Sequence, residues 1–341
     1  MSPSTMKTLF YKLSYSRWQR PRSALPGYSL LLPVPADLPV FLKVALSVCR
    51  AQERDHRVET IVIPDRRSPE FARLFRALRS EWDGEPLRVA QLGHLGTMLS
   101  RTVASAHTRH WLQIVHGINA SRSTHALLHD ADLFLSDPSF LRTHFEQGAG
   151  RACFGVSDVW DDWYRENGFR HVVATWELLF DLSWATGFEP WVHRGHDDVL
   201  DGKAHTFDTM LLPQCLTGPE LVGRRDDNQG FIHFNYVVCA YRSFQRRSGP
   251  FEDQGFSLLL IRLLVAAYEM SRWCHDLPSL PRLVAGLRDA TAPVTYRAPE
   301  TRAKYETFRS KLDALIASGL LPTKGVETVA RSIEPFDAAL A

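Results

Sequence analysis

The sequence carries little net charge, few cysteines and no long uninterrupted apolar run. Its 40 basic and 38 acidic residues nearly cancel, leaving +2. No polyanion-binding surface follows from that balance, and nucleic acid is not an expected partner. The five cysteines (Cys49, Cys153, Cys215, Cys239, Cys274) are odd in number and form no CxxC pair. Neither a zinc ribbon nor a disulfide framework is indicated, and reduced thiols in a cytoplasmic protein are expected. The polar, basic stretch Met1–Arg22 lacks the apolar core of a signal peptide. Of the most apolar stretches, Tyr28–Val48 is broken by prolines, Asp37 and Lys43, while Phe256–Met270 is short and contains Arg262. A membrane span needs about 20 largely uninterrupted apolar residues, so any membrane contact is expected to be peripheral. A P-loop, a GxGxxG after a strand, HExxH and GxSxG are all missing. Their absence counts against kinase, dehydrogenase, zinc-protease and α/β-hydrolase chemistry.

What is present suits a folded protein. The 341 residues, 45% apolar and 23% charged, are enough for one large α/β domain or two smaller ones. After the turn signal Pro26-Gly27, the run from Tyr28 reads as a buried strand and Val40–Gln52 as a helix. Val58–Pro64 reads as a second strand ending at Asp65. Ser68-Pro69-Glu70 opens a helix with a capping residue, a proline and an early acid, and that helix runs to about Trp82. Leu87–Leu92 is a third strand, His110–Ser121 a helix, Ala126 onward a buried strand, and Arg151–Val156 a further strand. Alternating strands and helices imply a mainly parallel sheet flanked by helices. Ligands bind such sheets beyond the carboxyl ends of the strands, where Asp37 and Asp65 fall.

Residues 158–229 differ in kind. They hold five of the nine tryptophans (Trp160, Trp163, Trp176, Trp184, Trp191) and show less regular periodicity, as expected of an irregular insertion over a site. Gly230–Tyr241 reads as strand-like, Gly255–Met270 as an apolar helix, and the tail from about Ala298 as a helical pair. The expected organisation is a lead-in over 1–27, a catalytic domain over 28–285 with 158–229 as an acceptor-side insertion, and a helical C-terminal extension over 286–341.

The strongest local signal is Leu127-Leu-His-Asp130-Ala-Asp132-Leu-Phe. Residues two apart on a strand share a side, so a buried strand running into these acids places two carboxylates at one point. They repel unless a cation, protons or hydrogen bonds compensate, and such oxygen donors suit Mg²⁺ or Mn²⁺. The same acids also suit a turn and a helix cap before Pro138.

The segment Gly117-Ile-Asn-Ala-Ser…Thr-His-Ala-Leu-Leu-His-Asp-Ala-Asp-Leu-Phe-Leu resembles the helix, strand and DxD signature of GT-A glycosyltransferases, of family-two-like type. The preceding strand–helix–strand units resemble the Rossmann-like, nucleotide-binding half of that fold. The resemblance spans roughly 28–157 and, more loosely, 230–280. It implies a metal-dependent transferase moving a sugar from a nucleoside-diphosphate sugar donor to a hydroxyl of a glycan, small-metabolite or lipid-linked acceptor. It also implies Mn²⁺ or Mg²⁺ bound by Asp130 and Asp132. Asp130 would lie near the ribose, with Pro33 and Asp65 beside the nucleotide. His275 is expected as a further metal ligand, with His233 its rival. Asp253 is expected as the general base, with Glu252 the alternate, and together they favour inversion. Acids also settle at helix N-termini for capping reasons alone. The run His193-Arg-Gly-His196-Asp197-Asp198 reads as a flexible, polar acceptor loop rather than a second metal cluster. One or two of the nearby tryptophans are expected to face substrate, while packing claims the rest. Two alternatives stand beside this reading: a nucleotidyltransferase of related fold, and a catalytically silent carbohydrate-binding or scaffold protein. The first usually needs a glycine-rich basic loop after the first strand, which Pro33-Val-Pro-Ala-Asp-Leu-Pro does not supply.

Overall fold

The computed structural model describes residues 3–19, 24–102, 106–249, 251–252, 254–273, 276–289, 291–296 and 299–340. Its strands are β1 (Leu25–Val34), β2 (Arg57–Pro64), β3 (Leu87–Val89), β4 (Ser123–His129), β5 (Leu133–Leu135), β6 (Cys153–Gly155), β7 (Glu177–Asp181), β8 (His196–Leu200), β9 (Lys203–Phe207), β10 (Val222–Arg224) and β11 (Phe231–His233). The chain forms two compact units, one of residues 1–36, 52–130 and 139–229, the other of residues 37–51, 131–138 and 230–341.

The first unit holds a seven-stranded sheet in the order β10-β6-β7-β4-β1-β2-β3. The pairs β1–β2, β1–β4, β2–β3 and β6–β10 are parallel, and only β7 runs against its neighbours. This is the mainly parallel α/β sheet expected from the alternating pattern. Leu31, Ile61, Ile63 and Leu128 of the strands pack with Ile114 and Ile118 of the helix Ala106–Ala120, whose apolar residues recur at helical spacing. Gly117 lets that helix approach closely, since a Cβ there would come 2.5 Å from Ile63 Cδ1. Because β1 is followed on one side by β2 and flanked on the other by β4, the strand order reverses between β1 and β4. A crevice forms beyond the carboxyl ends of strands at such a reversal.

Several sequence readings change in this unit. The lead-in is a helix, Pro3–Ser14, anchored by fully buried Tyr11 against Trp111 and Trp191. Pro26-Gly27 is not a turn ahead of the strand but a bulge within β1, where Gly27 adopts φ +116° and the β4 register shifts. Residues 158–229 are not uniformly irregular, because they supply β7 and β10 to the sheet and the β8–β9 hairpin. These strands are too short for periodicity to reveal. The run 193–198 is not a flexible loop either. His193 is fully buried, its Nε2 donating to the Ala185 carbonyl at 2.7 Å, and His196–Asp198 belong to β8.

The second unit is mostly helical, with the antiparallel pair β5–β11. The helix Gly255–Ala267 is apolar on nearly every side and buried accordingly. Gly325 of the helix Thr323–Leu340 sits so close to it that a Cβ would meet the Ala267 carbonyl at 2.7 Å. The run 230–241 is a strand for three residues only. Asn235 and Tyr236 both take φ 58°, and the helix Val237–Arg246 follows with Val237, Ala240, Tyr241 and Phe244 on its buried face. Two successive left-handed non-glycine residues are costly, and they end the strand that the aromatic run suggests. The tail is helical, as expected, in Thr301–Ala317 and Thr323–Leu340. No helix among the described residues is long and apolar enough to cross a membrane.

Candidate metal centre

The strand β4 delivers the acidic pair. Its last residue, His129, is fully buried and paired with Glu177 of β7, Nδ1 to Oε2 at 2.7 Å. The backbone N–H of Asp130 then donates to the Trp176 carbonyl at 3.0 Å, which fixes where the chain leaves the sheet. Asp130 Oδ1 lies 3.9 Å from His110 Nε2, and both side chains are under one-third exposed.

Asp132 is held differently. The residue is 6% exposed. Its Oδ2 accepts from the Val237 backbone N–H at 3.0 Å, and its Oδ1 lies 3.5 Å from His233 Nε2. Antiparallel pairing places His233 of β11 opposite Leu133, and the Asp132 carbonyl accepts from Phe234 N. The left-handed turn at Asn235-Tyr236 aims the first N–H of the next helix at the carboxylate. Burial by itself would raise the Asp132 pKa, but the His233 hydrogen bond and charge, with the Val237 N–H, outweigh it and hold the acid below its ordinary value. The group is therefore ionised at neutral pH, as a metal ligand must be.

Ala131 alone separates the two acids along the chain. Ligand atoms of Asp130, Asp132 and His233 all lie within 4.8 Å of one another. Two carboxylates and one imidazole match the donors that Mn²⁺ accepts readily and Mg²⁺ accepts less well. The residues present fit a divalent cation.

The other sequence candidates are spread around. Asp65, at the end of β2, is 4% exposed and accepts from Ala36 N at 2.9 Å, while its carbonyl accepts from Ser100 Oγ. It braces the turn after β1. Pro33 lies inside β1, paired with Ile63 of β2 and buried. Asp37 is gripped by the Arg242 guanidinium, with Nη2 2.6 Å from Oδ1. Glu252 is exposed and accepts from Thr295 Oγ1 at 3.4 Å. Asp253 and His275 lie outside the described residues.

Other groups escaped the sequence reading. Asp208, directly after β9, accepts from His107 Nδ1 and from Thr209 N, each at 2.6 Å. Burial alone would raise its pKa, yet His107 holds it down, and His110 adds to that effect. Lys311 of the helix Thr301–Ala317 donates from Nζ to the His233 carbonyl at 2.7 Å. Both sit far from the acidic pair in sequence and in no motif, so nothing in the linear pattern marks them. His233 was visible only as a rival ligand, because its short strand carries no periodicity.

Fold and site together define a mixed α/β protein with a candidate divalent-cation centre where a buried strand ends. No known family matches the sequence, and no curated protein does. Among solved structures, a galactosyltransferase in complex with donor and acceptor sugar analogues is 11% identical, over 83% of this chain and 95% of its own, with a TM-score of 0.42. A mannosyltransferase from Pyrobaculum calidifontis, in complex with GDP-Man and Mn²⁺, is 11% identical over 98% and 91%, with a TM-score of 0.38. Glucosyl-3-phosphoglycerate synthase from Mycobacterium tuberculosis, in complex with Mn²⁺ and UDP-glucose, is 14% identical over 48% and 58%, with a TM-score of 0.34. Likeness of this degree assigns no residue and no reaction to this chain.

Proposed function

We propose that this protein is a metal-dependent glycosyltransferase that moves a sugar from a nucleoside-diphosphate sugar to an acceptor hydroxyl. The observation that carries the reading is the convergence of Asp130, Asp132 and His233 just past β4, where the strand order reverses against β1. A pre-ionised, buried Asp132 gives the ligand set a charge that only a cation or its own hydrogen bonds can balance.

In this reading Asp130, Asp132 and His233 hold the cation. When bound, a divalent ion supplies charge neutralisation at the departing nucleoside diphosphate, which matters because glycosyl transfer builds leaving-group charge in an oxocarbenium-like transition state. Asp65 keeps the turn after β1 in shape by accepting from Ala36 N, so that the end of β1 near Pro33 can line the nucleotide. Asp253, with Glu252 as alternate, removes the acceptor hydroxyl's proton, a role that goes with inversion at the anomeric carbon. The acceptor is a glycan, a small metabolite or a lipid-linked sugar.

Isothermal titration with UDP, GDP and TDP, with and without Mn²⁺, tests the reading. One nucleotide should bind more tightly with metal present; no metal-linked affinity for any of them sinks the proposal and favours a silent scaffold. For the base, Asp253→Asn should abolish transfer while donor binding stays intact. Full turnover in that variant would place the base elsewhere.

A further inference from the structure

Lys311 is oddly placed for an ordinary surface lysine. It is half-buried on the helix Thr301–Ala317, and its ammonium is spent on the main-chain carbonyl of His233 rather than on a carboxylate. Among the described residues it forms no ion pair. An ammonium has three donors, and one is used. Burial draws the Lys311 pKa down, while the Asp132 charge acts against that through space. Its carbonyl partner belongs to the histidine that also touches Asp132 at 3.5 Å. The helix thus brings a cation to the edge of a site whose own logic calls for another cation.

The charge count explains how both can be there. With His233 neutral, as a metal ligand must be, two aspartates against one lysine leave the site with one net negative charge. A divalent ion turns this into one net positive charge, and the pull of Asp132 on the ammonium is then spent on the metal. A partly desolvated ammonium in that setting needs a new anion. Resting on the proposed transferase reading, we propose that Lys311 is a phosphate-binding residue of the donor site. Its ammonium holds an oxygen of the nucleoside diphosphate while Asp132 and His233 hold the cation. The C-terminal helix is in that case part of the donor site and not an appendage to it.

The two roles have opposite signs, and calorimetry can separate them. The full-length protein and Lys311→Met are each titrated with Mn²⁺ alone, with Mn²⁺ plus the nucleoside diphosphate that the wild type prefers, and with Mn²⁺ plus inorganic pyrophosphate. Removing a like charge should tighten Mn²⁺ alone by about two- to fivefold. Removing a charged donor should weaken both diphosphates by about tenfold or more. Lys311→Arg, which keeps the charge, should recover most of that loss. A merely structural lysine would weaken Mn²⁺ and diphosphate together, and that pattern overturns the proposal. So does undiminished diphosphate affinity in Lys311→Met. If the wild type itself shows no metal-dependent nucleotide binding, the transferase reading falls and takes this proposal with it, an outcome visible before any variant is made.

Discussion

The two units differ in what surrounds the buried histidines and acids at their centres. In the first, His144 and His193 lie among apolar rings and backbone with no acid beside them, unlike His129, which pairs with Glu177. His144 lies between Phe140 and Phe154, with burial and then nearby Arg225 lowering its pKa to about 3. His193 is lowered to about 4 by burial, against the opposing effect of its bond to the Ala185 carbonyl. Both are neutral and serve packing. The second unit buries a carboxylate, Asp132, and surrounds it with an imidazole, a helix N–H and the charge of a lysine. An acid beside a histidine does not by itself mark a site, since His129 and Glu177 pair fully buried in the first unit; His233 differs in having two carboxylates, Asp130 and Asp132, within reach. The same contrast separates Asp65 from Asp132. Each follows a buried strand, yet Asp65 is occupied in bracing its own unit's backbone, whereas Asp132 faces a histidine that can share a ligand with it.

The largest expected effect breaks that contrast at Asp132. Asp132→Ala should lower Mn²⁺-dependent nucleotide affinity by about a hundredfold or more with the circular dichroism spectrum kept. Unchanged affinity would remove the acid from the site. Next comes the first unit's pH dependence. His144 and His193 have folded pKa values below the ordinary one, so the stability tied to their neutral forms is complete above the unfolded pKa near 6.5. It is lost as pH falls toward about 4 for His193 and about 3 for His144. Between pH 6.5 and 5 each should cost roughly 1.5 kcal/mol, read from urea denaturation at the two pH values. His144→Phe should remove about half of that loss, and an unaltered pH slope would show that His144 is not the source. Asp65→Ala should destabilise by roughly 1–3 kcal/mol, because the Ala36 N–H loses its acceptor, while leaving metal affinity nearly intact. A matching fall in metal affinity would erase the distinction between the two aspartates. The smallest effect is at Trp160, 52% exposed. Trp160→Ala should shift stability by less than about 0.5 kcal/mol, so any change in transfer rate would report on acceptor contact.

Much of the first unit was legible because its elements are long and patterned. β1, β2 and the helix Pro69–Ser80, with Ser68 accepting from Phe71 N as its cap, announce themselves through buried runs and capping chemistry. The carboxylates Asp130 and Asp132 were readable for the same reason, as the place where an apolar strand stops. The helix Pro3–Ser14 was missed because its apolar residues form no clear stripe, and among its described side chains Tyr11 alone is buried. β7 was missed because five residues, Glu177–Asp181, are too few to distinguish a strand from a buried helical turn.

Local sequence settled which of the long, patterned segments are strands or helices and which two acids follow β4, since both follow from periodicity and composition within a few residues. Only the tertiary structure decided that His233 is the histidine that meets Asp132, that Lys311 reaches the carbonyl of that histidine, and that Asp65 is a brace. Those outcomes depend on contacts between residues distant in the chain, such as the β5–β11 pairing. No local pattern encodes which distant partner a short strand or a lone side chain will find.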